Sequence, residues 1–222
     1  MQQPCATRFR FAARPLAARL QPPAGADRVA APGVTASHVA TDPGRAMNDN
    51  DQAPESGLPT SPDALFARLA ELGISVATVS HPALHTVEES RALRGEIAGG
   101  HIKNLFVKDK KGKVFLIVAE EDADINLKTI HTLIGGSGRV SFGKPEQLME
   151  LLGVRPGSVC PFGLINDTAG VVTCILDEAL MRHDVINCHP LVNTMTTSIG
   201  RDDLLAFLVS TGHEPRIVAV SG

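Results

Sequence analysis

The chain has 222 residues, 43% of them apolar, and a formal net charge of -3, which suits one domain with a buried core, or one such domain plus a tail. It has no Trp or Tyr and only 4% aromatic residues, so an RNA platform built on stacked rings is disfavoured. The charge excludes a strongly basic nucleic-acid coat but leaves local basic patches open. Four cysteines occur without a C-x-x-C pair and read as reduced thiols rather than a zinc site. No apolar run approaches the roughly 18 residues that span a bilayer. Neither a membrane nor a DNA partner is expected.

Residues 1–58 are rich in Ala, Pro, Arg and Gln and show no sustained apolar period. They read as a disordered leader. Arg8, Arg10, Arg14 and Arg19 with no acid before Leu20 resemble an organelle transit peptide. The alternative is an extension ahead of a true start at Met47. Residues 59–222 form the expected folded domain, and a cytoplasmic location is expected, with organelle targeting by the leader left open.

Ser61-Pro62 supplies an N-cap and a first helical residue, and Leu65, Phe66, Leu69 and Leu72 follow at helical spacing up to Gly73. Residues 74–79 alternate like a strand. Thr86 with Glu89 forms a capping box for a helix through about Arg94. Residues 102–108 and 113–119 are β-rich runs joined by Asp109-Lys110-Lys111-Gly112, a hairpin. Asn126 caps a helix toward Ile134, and residues 144–152 form another, stopped by Gly153. Strands are predicted at 171–176, 185–188 and 194–199. A helix over 201–209 carries Asp202 and Asp203 in its first turn, and a strand at 216–220 closes the chain. Strands and helices mix without a βαβ repeat, which predicts an α+β fold with a largely antiparallel, twisted central sheet flanked by helices.

Common catalytic signatures are missing. Neither the glycines of 95–100 nor those of 135–138 fit a phosphate loop or a dinucleotide fingerprint, and there is no G-x-S-x-G or H-E-x-x-H. His81 and His85 lie four apart but outside a helical pattern, and the acidic run Glu120 to Asp124 reads as a solvated loop. Cys160 reads as a packing residue. No cofactor and no metal is implied.

Four segments taken together are informative: HPALHTVEES (81–90), HIKNLFVKDKKGK (101–113), RPGSVCPFGLIND (155–167) and CHPLVNTMTTSI (188–199). Their order and spacing resemble the YbaK-like domain, the editing module of bacterial prolyl-tRNA synthetases. They are most similar to its free-standing alanyl-tRNA(Pro) deacylases, the ProXp-ala group. The resemblance covers about residues 60–220. It implies an α+β domain that holds the 3′ end of an aminoacyl-tRNA and hydrolyses the aminoacyl ester with water, without a metal. The implied partner is the acceptor end of tRNA(Pro), with prolyl-tRNA synthetase as a further candidate.

The resemblance carries the family Lys onto Lys103 and its neighbour onto Asn104. The G-x-x-x-P loop falls on Gly157, Ser158 and Pro161, and a late His on His189. Lys103 is expected to hold a phosphate or the ester oxygen, Gly157 and Ser158 to turn N–H groups toward the carbonyl, and Asn104 or His189 to orient the water. In a regular strand Lys103 and Asn104 face opposite sides. A bulge would bring them together; otherwise Lys108 with Asn104 is the competing pair. Val87 and Leu105 are candidate pocket walls, and Lys110, Lys111 and Lys113 candidate tRNA contacts. Two alternatives stay open: the same fold acting on Cys-, Ser- or Thr-tRNA, and a non-catalytic module that binds tRNA or a synthetase.

Overall fold

The computed structural model describes residues 57–82 and 97–221. Nearly all of the leader, Val87 and the helix expected after Thr86 lie outside them.

Helix α1 (Pro62–Glu71) starts as the sequence predicts: Ser61 Oγ accepts from the Ala64 N–H at 3.2 Å, and Pro62 occupies the first turn. Its buried stripe is Leu65 and Leu69. Strand β1 (Ala77–Ser80) is exposed throughout. The long hairpin follows, β2 (Gly100–Lys108) with β3 (Val114–Glu120). Its turn is organised by Asp109, whose carboxylate accepts from the N–H groups of Lys111 and Lys113.

Helix α2 is shorter than expected (Ile130–Ile134), with Thr129 at its N-cap. Asn126 instead accepts from Lys128 N–H at 3.0 Å, a local turn that competes with helix initiation. A two-residue strand β4 (Ser141–Phe142), which residue patterning did not reveal, precedes α3 (Pro145–Leu152). A 3-10 helix (Pro161–Asn166), also unforeseen, leads to β5 (Val172–Asp177). Strands β6 (Val185–Cys188) and β7 (Met195–Gly200), helix α4 (Arg201–Ser210) and strand β8 (Arg216–Val218) complete the chain.

The α+β expectation holds. The strands form one sheet in the order β1-β7-β6-β2-β3-β5-β8, with β4 added beside β2. It is mixed rather than uniform. Four described pairings are antiparallel, while β2–β6, β3–β5 and β5–β8 are parallel.

Each face carries its own core. Helices α1, α3 and α4 and the 3-10 helix cover one face through Leu65, Leu152, Phe162 and Phe207. The rings of Phe162 and Phe207 meet edge-on at 5.3 Å. Helix α2 and Val220 cover a smaller core on the other face, with Phe115, Ile117 and Val107.

Candidate active site

Strand β2 belongs to both halves of the sheet. Its first residues pair with β6 (Gly100↔Ile186, His101↔Asn187), and its last pair with β4 (Val107↔Phe142, Lys108↔Ser141). Strand β6 ends at Cys188. Among the described residues, 102–105 therefore border β3 on one side and no strand on the other. This gap in the sheet is the candidate site.

The β2–β3 register is unbroken from Ile102 to Lys108, so no bulge is present. Ile102 and Phe106 join the larger core and Leu105 and Val107 the smaller. By alternation Asn104 faces the larger core and Lys103 the opposite side. The two side chains do not enter one pocket, because nothing interrupts the pleat. Lys108 shares the Asn104 face, but four residues further along an extended strand, about 13 Å, so it does not pair with Asn104 either.

Peptide groups alternate as well. The His101 carbonyl accepts from Glu121 N–H on the β3 side, and the Phe106 carbonyl from Gly143 N–H on the other. Even-numbered residues of β2 thus turn their peptides away from β3. Asn104 presents its backbone N–H and C=O to the gap. Its Oδ1 is buried and has no hydrogen-bond partner among the described residues.

The Lys103 side of the gap is polar. Across the β2–β6 pairing the side chains of His101 and Asn187 lie 3.5 Å apart. Asn187 Oδ1 accepts from Ser198 Oγ at 2.6 Å, and its Nδ2 donates to the Ala98 carbonyl at 3.1 Å. His81 Nδ1 donates to the Pro82 carbonyl at 2.8 Å, so its Nε2 accepts from the Thr196 hydroxyl at 3.0 Å. The His189 ring centre is 6.4 Å from that of His81.

His189 directly follows β6, one residue past the end of that strand. The Lys103 ammonium donates to the Ala123 carbonyl, in the segment that follows β3. His189 Nδ1 donates to the Met195 carbonyl at 2.9 Å. Burial of the ring holds His189 below the ordinary imidazole value; the Met195 carbonyl opposes that shift and His81 adds to it.

Residues 155–158 form a type II turn, with Pro156 at its second position, Gly157 at φ +89° and Ser158 N–H donating to the Arg155 carbonyl at 3.0 Å. The expectation that Ser158 offers its N–H to a substrate carbonyl is thereby corrected: the turn consumes that donor. Gly157 abuts the turn after β6, where an added Cβ would lie 3.7 Å from Asn193 Nδ2. Cys160 holds the same turn by accepting from Leu191 N–H; burial pushes its thiol up to about 11, which suits packing and not nucleophilic attack. Leu191, buried and at φ +71°, is held in an unusual conformation by these contacts. Pro161 is buried as the first residue of the 3-10 helix. Leu105 packs on the smaller core, on the Lys103 face.

Asn187, Thr196, Ser198 and His81 escaped attention as site residues. Part of their signal was legible: Thr196 and Ser198 stand at alternate positions of β7, on the face opposite Ile199.

Comparison with known proteins agrees with this architecture. The family model described as the aminoacyl-tRNA editing domain matches residues 81–207. The chain is 38% identical over 159 residues to prolyl-tRNA synthetase associated domain-containing protein 1 of Bos taurus, covering 70% of this chain and 92% of that protein. It is 33% identical over 151 residues to the prolyl-tRNA editing protein ProX of Acetoanaerobium sticklandii, covering 68% of this chain and 92% of that one. Among solved structures, hypothetical protein APE2540 shares the fold with a TM-score of 0.55 at 21% identity, over 69% of this chain and 97% of that one. This chain belongs to the aminoacyl-tRNA editing domain family.

Proposed function

We propose that the protein is a free-standing trans-editing hydrolase that deacylates mischarged Ala-tRNA(Pro). The observation that carries this reading is the gap beside β2, a strand edge presenting the peptide groups of Asn104, with Lys103 on the same strand and His189 directly after β6. Kinship with a prolyl-tRNA editing protein supports the choice of tRNA, and the shared name of the vertebrate relative supports prolyl-tRNA synthetase as the source of the mischarged substrate.

In this mechanism the terminal adenosine lies along the open edge. Asn104 N–H donates to the ester carbonyl, where negative charge develops. Lys103 stabilises that charge or the adjacent phosphate as a point charge. With Nδ1 committed to Met195, His189 Nε2 is the ring's acceptor and takes the proton of the attacking water. The C–O bond to the ribose 3′-oxygen breaks, that oxygen leaves protonated, and alanine is released as the free acid. The ribose 2′-hydroxyl, adjacent to the leaving oxygen, is the second group able to relay the proton.

Selectivity is a matter of size. A pocket gains only about 1–3 kcal/mol per methylene, so a synthetase cannot reject alanine fully by affinity, whereas a smaller second site excludes proline sterically. Leu105 on the Lys103 face and Val87 are the proposed walls.

The test is deacylation of Ala-tRNA(Pro), Pro-tRNA(Pro) and Ala-tRNA(Ala) by the full chain and by Lys103→Ala. Loss of alanine from tRNA(Pro) alone, abolished in the variant, is the expected result. Absence of hydrolysis of all three, with turnover of Ser-, Cys- or Thr-tRNA, would replace the substrate.

A further inference from the structure

Strands β6 and β7 pair antiparallel and are joined by the loop 189–194, whose first residue is His189. Connecting loops ordinarily run over the surface. This one turns inward: Pro190, Leu191 and Val192 are all buried, and Leu191 joins the larger core. Leu191 is also the only non-glycine residue with positive φ, 71°, among the described residues. Such backbone is strained for a leucine and persists only where the surroundings hold it.

Cys160 supplies the hold. Three N–H groups turn toward its sulfur, those of Leu191, Gly163 and Phe162, and that of Leu191 is the strongest of the three. Gly163 N–H also has the Cys160 carbonyl, at 3.1 Å. The Leu191 N–H has no backbone carbonyl among the described residues, so the sulfur is the acceptor that satisfies it. Cys188, one residue before His189, lies in the same core; burial, and then the nearby Cys160, push its thiol up. Residues on both sides of His189 thus neighbour Cys160.

The chain between Leu191 and His189 is stiff. Pro190 has its φ locked by the ring, and a residue before proline is confined to extended backbone. A displacement of the Leu191 peptide is therefore passed on to the His189 backbone instead of being absorbed. The His189 ring itself is fixed by the bond from Nδ1 to the carbonyl of Met195, the first residue after the loop. That bond survives only while the loop keeps its shape.

We infer that Cys160 is a positioning residue for His189. Its thiol holds Leu191 in left-handed backbone, and Pro190 transmits that hold to the imidazole, which keeps Nδ1 on the Met195 carbonyl and Nε2 as the ring's acceptor. This rests on the deacylase reading for what His189 does. Cys174 is the contrast: it is buried in the same core, but burial alone acts on its thiol, so it packs without holding a loop.

The experiment compares the full chain with Cys160→Ala, Cys160→Val, Cys160→Ser and Cys174→Ala. Cys160→Ala and Cys160→Val both remove the acceptor. Cys160→Val also fills the space and suits the extended backbone there (φ -155°, ψ 159°), which keeps the test open if Cys160→Ala does not fold. Cys160→Ser keeps an acceptor. Each protein is measured for Tm, for kcat and KM on Ala-tRNA(Pro), and for the His189 tautomer by 15N imidazole NMR, the resonance being assigned from His189→Ala. Cys160→Ala and Cys160→Val are expected to lower kcat about tenfold with KM little changed, and His189 to lose its single Nδ1–H tautomer. Cys160→Ser retains both. Cys174→Ala lowers Tm and leaves kcat and tautomer as they are. An unchanged kcat and tautomer in Cys160→Val, or loss of both in Cys174→Ala, would overturn the positioning role while leaving the deacylase standing. Tautomer loss in Cys160→Val, in a protein that hydrolyses no aminoacyl ester, would uphold the hold on His189 and overturn the deacylase.

Discussion

The His189 ring donates from Nδ1 to the carbonyl of Met195 at 2.9 Å, and this single bond fixes the tautomer. A carbonyl can only accept, so Nε2 keeps its lone pair. Burial and the neighbouring His81 keep the ring neutral below its ordinary pKa of 6.5, against the pull of the Met195 carbonyl. If Nε2 is the base, deacylation needs the neutral ring, and the acid limb of the kcat profile falls below pH 6.5. An acid limb above 6.5 would remove His189 from that role. His189→Ala is expected to lower kcat by about 10²-fold.

Lys103 is expected to act on charge rather than on packing. Lys103→Met keeps the stem and loses the ammonium, so kcat should drop about 10²-fold with little change in Tm. Lys103→Arg should not restore full activity, since a planar fork does not reproduce the point charge donated to the Ala123 carbonyl. A Met variant with normal turnover would show the lysine to be a structural tether.

Asn104 separates side-chain from backbone function. Its Oδ1 is buried without a partner among the described residues, an arrangement that adds nothing to folding. Asn104→Leu is therefore expected to leave urea stability unchanged or raised by about 1 kcal/mol. Should only the peptide groups serve the reaction, turnover also survives. A loss of turnover at unchanged stability would assign the side chain to the substrate.

Asp167 is a stability residue. Its carboxylate, 2% exposed, accepts from His213 Nε2 at 3.0 Å and from the N–H groups of Val171 and Val172. Burial alone would raise its pKa, but these bonds prevail and lower it below 3.8. Its contribution is therefore fully present above the ordinary carboxylate value and is lost as pH falls through the lowered one. Asp167→Ala should cost about 3 kcal/mol at pH 7, and the gap from wild type should narrow in acid. An equal gap at pH 7 and pH 3 would contradict this.

Gly157 is required for its backbone. At φ +89° an alanine is strained, although the nearest neighbour, Asn193 Nδ2, stays 3.7 Å from an added Cβ. Gly157→Ala should lower stability by about 1 kcal/mol through the turn alone. A larger fall in turnover than in stability would show that the turn also shapes the site.

Most of the regular elements were legible in the residues. Ser61-Pro62 and Gly73 bracket α1, and the alternation around Asp109-Lys110-Lys111-Gly112 defines the hairpin, because capping and turn chemistry are local. The 3-10 helix after Pro161 and the two-residue β4 left no periodic signal, since each is shorter than the window that reveals a period. The start of α2 was misread at Asn126 because an N-cap and an isolated turn use the same side-chain bond.

The candidate site divides in the same way. Lys103, Asn104, Gly157 and His189 were found from four segments whose order resembles a known family, and the pleat alone required Lys103 and Asn104 to face apart. Sequence by itself thus determined the fold family and the hairpin, and offered Lys103, Asn104 and His189 as candidate site residues. Only the tertiary structure decided that β6 leaves β2 after Cys188 and that Ser158 spends its N–H within its own turn. The parallel pairing of β2 with β6 joins residues more than eighty positions apart. No local propensity encodes such a contact; it is set by how two cores pack on opposite faces of one sheet.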